Sequence, residues 1–501
     1  MMPHYLSRAE LERVVPAEQG AFPGPIPTQV VSNGEFNPPP QTREQRLVEA
    51  RVNALTNELA PRHGVTRRGF LASSAGMAAA FLAMNDVFGP LFDVTRAEAQ
   101  VPGAADARAD KLAGQFIVDV QTHFVRDDFK QDGLLGLAKY AKQHWNTALA
   151  SENDLARYKF ENYVKEVFVD SDTKVALLSG APFDDPTWDL LNNDQIAAAR
   201  TAINRIAGSR RLLAHSVFTP KKNGWMAEVD RCAASVKPDS WKGYTVGDPL
   251  FPSKLHSYWR LDDEKVMYPF YEKIVKAGSP IVCIHKGLLP ADYEKSWPDV
   301  WQYNTVWDVG KAAKDWPQIS FVIYHSALRM FQESPAATVA EFENTGRIKW
   351  ATDLAEIPAK FGVNNVYGEI GTSFATCAVA DPNLAAALVG TLVKGLGTDR
   401  VLWGTDSVWY GSPQWQIEAM RRLEIPEAMR KKHGFAPLGP ADGLVKTAIF
   451  SSNAARLYGI QAKTALGDIT KDRIAAIRAE YIAAGGAPSN VRYGYVHRQT
   501  A

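Results

Sequence analysis

Cysteine is scarce in this sequence: Cys232, Cys283 and Cys377 are the three in 501 residues. An odd count without closely spaced pairs argues against a disulfide framework and a zinc-finger module. Charge of either sign is not in excess, because 56 Lys and Arg face 55 Asp and Glu for a formal net charge of +1. That balance leaves no footprint for nucleic acid or an anionic membrane surface. No G-x-G-x-x-G or P-loop follows the first strand-like run, which counts against a dinucleotide or nucleotide-triphosphate site. The small-residue apolar run ending at Met84 is about 15 residues, short of the roughly 20 that span a bilayer. No short-period repeat stands out. What is present is ordinary globular composition, 46% hydrophobic and 22% charged, enough for a large core.

Residues 1–60 are rich in Pro, Gly, Asn and Gln and are expected to be extended or disordered. A short helix is expected near their end, in REQRLVEARVNALTNELA. Thr66, Arg67, Arg68, Gly69, Phe70 and Leu71 follow, then the apolar run, then small residues at Ala97–Ala99. A basic pair, a short apolar segment and a small-residue cleavage site read as an export signal. The pattern resembles the twin-arginine signal, with Arg67 and Arg68 as its pair. That resemblance makes 61–100 a signal region, the twin-arginine export machinery a partner, and the location periplasmic or secreted. The plainer alternative is a buried helix that happens to follow two arginines.

From residue 116 the pattern changes. Apolar runs recur at 116–124, 174–180, 211–218, 243–247, 280–287, 319–327, 365–371 and 400–407, with helix-type segments between most of them. Strands alternating with helices argue for βαβ units and a parallel sheet. Eight repeats favour a closed (β/α)8 TIM barrel over an open sheet. The expected organisation is a barrel over 110–460 and a C-terminal helical tail over 461–501, the latter ending irregularly.

Three of ten histidines, His123, His285 and His325, close strand runs, and Asp406 closes a fourth. The C-terminal strand ends of a parallel barrel surround one mouth, so these four converge. Strand period places Asp119, Gln121 and His123 on one face and Val118 and Val120 on the other, the polar set expected inward. Neutral imidazoles with a carboxylate suit one divalent cation, zinc first, with manganese or iron as alternatives. Such an ion lowers the pKa of bound water to about 7, and a carboxylate beside it can accept the proton.

The runs VDVQTHF, IVCIHKG, FVIYHSA and VLWGTDSVW, with the closing SSNAARLYGI, resemble in order the amidohydrolase superfamily, in the branch that includes aminocarboxymuconate semialdehyde decarboxylase and related hydrolases. The resemblance spans about 116–460. It implies that His123 and His285 ligate the metal. It also implies that Asp406 ligates or shuttles the proton, and that His325 ligates or polarises substrate. Gln121 stands where the family has its first histidine, and an amide oxygen is a poorer ligand for a borderline ion. It is expected to be a weak ligand or a hydrogen-bond donor. No lysine is expected on the fourth strand, since Lys242 precedes the run at 243–247. Glu369, Lys286 and Trp409 are candidate substrate-binding residues, with Trp259, Trp297, Trp301, Trp307, Trp403 and Trp415 as further aromatic candidates. Cys283 and His215 read as core residues.

The expected activity is hydrolysis of a small molecule through metal-activated water. The first alternative is metal-dependent non-oxidative decarboxylation, with Arg126 or Arg260 holding the substrate carboxylate. The second is an exported binding protein whose metal site was lost with Gln121. A homo-oligomer is compatible with all three.

Overall fold

Eight of the apolar runs become parallel strands in the computed structural model, which describes residues 14–17, 22–124, 160, 162–182, 191–247, 258–330, 332, 334–486 and 488–497. In chain order they are β1 (Val118–Thr122), β2 (Val175–Leu178), β3 (Leu212–Val217), β4 (Ser240–Tyr244), β5 (Ile281–His285), β6 (Ser320–Tyr324), β7 (Val366–Glu369) and β8 (Val401–Leu402). Each pairs with the next in sequence order. The last returns to the first through Val120 N–H donating to the Trp403 carbonyl at 3.0 Å, Asp406 N–H to the Gln121 carbonyl at 2.8 Å, and a parallel bridge between Thr122 and Ser407. The result is the expected (β/α)8 barrel. Strand residues are buried almost throughout, as a parallel sheet covered on both faces requires.

The structure departs from the sequence pattern at two strands. Val118 and Val120 face inward, in one apolar cluster with Val175, Leu177, Leu213, Ile281, Cys283, Val322, Tyr324 and Leu402. The pairing of β1 with β2 shifts register between Asp119 and Thr122, and a one-residue irregularity exchanges faces beyond it. The fourth strand lies three residues earlier than its apolar run, so Lys242 is in its middle, opposite Cys283. Its sequence, Ser-Trp-Lys-Gly-Tyr, is no apolar run, because Trp241 packs in the outer core while Lys242 is buried elsewhere.

The segment expected to be extended or disordered is, from Phe22 on, part of the body. Ile26, Val30, Val31 and Phe36 are buried in the same core as the outer faces of the strands. Ser32 bridges Tyr495, and Arg492 donates to the Pro25 carbonyl at 3.0 Å. Helix α1 (Arg43–Leu59) then starts at a capping box formed by Thr42 and Gln45, which satisfies two otherwise open donors. The Gln45 amide also donates to the Val379 carbonyl of the barrel layer at 2.9 Å.

The signal-like region packs beside it. Helix α2 (Ser74–Phe88) lies on α1, with Ala78, Ala79, Phe81 and Ala83 fully or almost fully buried. A side chain at Gly76 would meet the Phe70 carbonyl oxygen at 2.1 Å, so the run of small residues permits a close approach. Arg422 of helix α3 (Gln414–Arg422) pairs with Glu98 and lies over the Phe81 ring. Arg67 and Arg68 remain exposed, Arg67 donating to Asn53 at 3.0 Å. No helix among the described residues is long and apolar enough to cross a membrane. Phe81→Ala is expected to cost about 3–5 kcal/mol, read as a lower urea midpoint for the whole protein. An unchanged midpoint would mean that this segment is not part of the cooperative unit.

The tail is helical over Ala462–Ile469 and Arg473–Ala483. Arg211 grips Asp472 through two nitrogens. The end read as irregular contains a strand, Tyr495–His497, antiparallel to Val14–Pro16.

Candidate metal centre

The candidate residues sit at or just beyond the C-terminal strand ends, and His325 and Asp406 do so on backbone that few side-chain-bearing residues adopt. His325, Ser326 and Ala327 have φ of 60°, 47° and 54°, Thr372 has 57° and Asp406 has 58°. Left-handed backbone outside glycine is uncommon and collects at sites where surrounding structure over-determines it. Glu369 is part of that support. Its carboxylate accepts from the His325 N–H at 3.0 Å and from the Gly371 N–H. Burial pushes the Glu369 carboxyl up to about 8. A Cβ at Gly404 would fall 1.8 Å from Glu369 Oε1, so the Gly of the Gly-Thr-Asp run makes room for this carboxylate. Glu369, expected to bind substrate, is thus occupied in holding the turn that presents His325.

His123 and His325 are oriented alike. His123 Nδ1 lies 2.9 Å from the Ser179 carbonyl and His325 Nδ1 lies 2.9 Å from the Gly371 carbonyl. A carbonyl only accepts, so both Nδ1 atoms carry hydrogen and both Nε2 atoms are left to face the centre. His123 Nε2 is 3.0 Å from Asp406 Oδ1, and His325 Nε2 is 3.4 Å from Gln121 Nε2. His285 stacks on Tyr244 with centroids 4.8 Å apart and meets the His325 ring edge-on at 4.8 Å. Burial pushes His325 down to about 4 and His285 well below the usual imidazole range. Both rings are therefore neutral near pH 7, with lone pairs available.

Asp406 gathers donors from four directions. Gln121 Nε2 and Asn33 Nδ2 each lie at 3.0 Å, and Thr372 Oγ1 and His123 Nε2 complete the set. Burial alone would raise this carboxyl. The hydrogen bond and charge of His123, with His325 and Thr372, outweigh it and hold Asp406 well below the usual carboxylate range.

The donor set fits a divalent cation. His123 Nε2 and Asp406 Oδ1 face each other across 3.0 Å, an approach that a shared proton or a cation between them makes favourable. His285 Nδ1 and Gln121 Oε1 are buried without a hydrogen-bond partner among the described residues, and such atoms are costly unless something binds them. Glu35, His285 and His325 offer ligand atoms all within 4.8 Å of one another. Imidazole and carboxylate together suit zinc, manganese or iron.

Sequence reasoning missed three of these neighbours. Asn33 and Glu35 come from the Pro-rich segment, where nothing in the pattern signals a site. Lys242 was misplaced by the strand boundary. Its ammonium lies 3.5 Å from the Tyr324 ring centroid, without a hydrogen-bond acceptor among the described residues, and burial pushes it down to about 8.

Other candidates are engaged elsewhere. Lys286 is buried with its three donors on the Tyr303 carbonyl and both Asp308 oxygens, so it has none for a substrate. Trp409 is buried, and its carbonyl accepts from Tyr493 and Gly494 of the tail. Trp403 packs between Phe374 and Phe450 in the outer layer. Arg260 is paired with Asp262 through two nitrogens, and Arg126 lies outside the described residues. Cys283 and His215 are core residues as expected, the latter hydrogen-bonded to Tyr324 at 3.1 Å.

Residues 220–460 match a family model described as amidohydrolase. That region holds His285, His325 and Asp406, and β1 with Gln121 and His123 precedes it. No curated protein matches the chain. Among solved structures, an uncharacterized TIM-barrel protein from Bordetella bronchiseptica aligns with TM-score 0.40 and 13% identity, over 70% of this chain and 99% of that one. A 2,6-dihydroxybenzoate decarboxylase from Rhizobium aligns with TM-score 0.37 and 14% identity, over 69% and 99%. A 2-pyrone-4,6-dicarboxylic acid hydrolase from Pseudomonas putida, so described provisionally, aligns with TM-score 0.37 and 12% identity, over 69% and 98%.

Proposed function

We propose that the chain hydrolyses a small-molecule electrophile, using one divalent cation held by His123, His285, His325 and Asp406, with zinc as the first choice. The observation that carries this reading is the approach of His123 Nε2 to Asp406 Oδ1 at 3.0 Å, beside the two neutral imidazoles of His285 and His325. When bound, the cation would lower the pKa of a water toward neutrality and polarise the bond to be cleaved. The remaining chemistry belongs to the side chains. Asp406 is ionised at neutral pH, so it can take the proton of the attacking water and return it to the leaving group. Thr372 and Asn33 hold its other oxygen. Polarising a substrate oxygen, the alternative role for His325, needs a hydrogen donor. Its Nδ1–H is committed to Gly371 and its Nε2 is a lone pair, so it serves better as a ligand. Gln121 donates to Asp406 and leaves its oxygen as a weak ligand.

We also propose that the exposed Arg67–Arg68 pair addresses the chain to twin-arginine export. The experiment for the hydrolytic reading is a panel of lactones, esters and amides, assayed before and after chelation. Loss of turnover on chelation, restored by zinc or manganese, is expected. Full activity in a metal-free preparation would eliminate the reading.

A further inference from the structure

We propose that Glu35, carried by the segment ahead of the barrel, is a ligand of the same cation as His285 and His325. This rests on the metal reading above and adds to it a residue 250 positions from the nearest of those histidines in the chain. Glu35 Oε1 lies 3.5 Å from His285 Nδ1, the atom left without a hydrogen bond. That separation is too long for a good hydrogen bond and suits two ligands flanking one ion.

The segment is built to place this carboxylate. Ser32 is fixed by its pairing with Tyr495, and its hydroxyl donates to the Phe36 carbonyl while accepting from Gly34 N–H. Gly34 turns the chain at φ +99°, a conformation that side chains disfavour. Asn33 then does two things at once. Its oxygen accepts from Glu35 N–H at 3.0 Å, and its amide nitrogen donates to Glu35 Oε2 at 2.6 Å and Asp406 Oδ2 at 3.0 Å. One side chain therefore ties the incoming carboxyl group to the barrel's own, leaving Glu35 Oε1 and Asp406 Oδ1 each turned toward an imidazole. Gln121 offers only a weak amide oxygen where an imidazole would be a stronger ligand, and Glu35 brings a carboxyl oxygen to that side of the site.

A consequence follows for processing. Cleavage after Ala99 would remove Glu35 and Asn33 and strip the barrel of the buried Phe70 and Phe81. The exported form keeps the segment as part of its site.

The test is metal binding by the full chain, with activity left aside. Wild type, Glu35→Gln, Glu35→Asp and Asn33→Ala are stripped and titrated with Zn²⁺ and Co²⁺. Affinity comes from competition with a chelating dye, and cobalt coordination from its visible absorption. Near-ultraviolet circular dichroism reports folding. Glu35→Gln, nearly isosteric, is expected to weaken binding about 100-fold or more and to change the cobalt spectrum. Asn33→Ala is expected to weaken it about 10-fold, the usual effect of losing a group that orients a ligand. Should Glu35→Gln misfold, Glu35→Asp keeps the charge with a shorter reach and is expected to shift the cobalt bands. Wild-type binding with unchanged affinity and spectrum in the folded Glu35 variants would overturn the ligand assignment and leave the hydrolase reading intact. Absence of binding by wild type would overturn both. A metal-loaded mature protein beginning at residue 100 would overturn the assignment alone.

Discussion

Asp406→Asn is expected to lower kcat on any substrate found for this protein by about two to four orders of magnitude, the range for loss of a positioned acid–base group. Three physical reasons point to so large an effect. The side chain is buried, with 1% of its surface exposed, so solvent cannot take over its role. An amide keeps the shape but cannot accept a proton at neutral pH. It also turns an NH2 group toward either His123 Nε2 or the Thr372 and Asn33 donors, disturbing the orientation of its neighbours. Steady-state kinetics and metal titration of the same variant separate the two contributions. A fall in kcat with metal affinity held within tenfold assigns Asp406 chiefly to proton transfer, and a matched fall in both assigns it chiefly to binding the ion. Unimpaired kcat would remove Asp406 from the mechanism.

Arg421→Ala is expected to destabilise the fold by about 3–5 kcal/mol, the usual cost of removing one partner of a buried ion pair. Arg421 is fully buried. It pairs with Asp172 and Glu418 at 2.7 Å and 2.8 Å, and donates to Gln115 and the Leu112 carbonyl. It thereby binds α3 to the segment before β2 and to the N-terminal layer. The pH dependence has a definite sign. Burial alone would raise Asp172, but Arg421 and Arg478 outweigh it and hold the carboxyl down to about 2. A carboxyl depressed in the folded state stabilises above its unfolded pKa of about 3.9, and that stabilisation is lost as pH falls toward 2. Equilibrium denaturation of wild type is expected to weaken across that window. The variant should start lower at pH 7 and lose less of its stability between pH 4 and 2. Equal stability of the two proteins at pH 7 would contradict the arrangement.

Much of the barrel was legible in the sequence because a parallel strand buried on both faces must be an apolar run, and because its functional residues must stand where the run ends. His123, His285, His325 and Asp406 all satisfy that rule, and the structure brings them to one rim. The rule fails where a strand is built differently. β4 reads as Ser-Trp-Lys-Gly-Tyr, so its boundary slid by three residues and took Lys242 out of the site. β1 changes faces at an irregularity between Asp119 and Thr122, which strict alternation cannot foresee. Lys286 looked available because it follows His285, yet Asp308, 22 residues later, holds it.

The N-terminal segments were the least legible part. Their composition is that of a chain unable to bury enough surface alone. They are ordered because the barrel provides the other half of the interface: Asn33 donates to Asp406, Gln45 to the Val379 carbonyl, and Phe81 lies under Arg422, all hundreds of residues away. The same dependence hides Glu35 and Asn33, whose place beside Asp406 follows from docking and from no local periodicity. The basic pair and apolar run that resemble an export signal are also the exposed start of a short helix, Arg67–Leu71, and a buried helix, and those two descriptions are compatible in one folded protein.

A single cation at the rim of the barrel is the centre of the proposed chemistry. Elemental analysis of the full-length protein, with anomalous diffraction collected across the zinc, iron and manganese edges, tests it most directly. The expected result is one ion per chain, its density peak in contact with His285, His325 and the Asp406–His123 pair. A well-ordered crystal from metal-supplemented medium with no anomalous peak there, and an ordinary hydrogen bond joining His123 to Asp406, would contradict it.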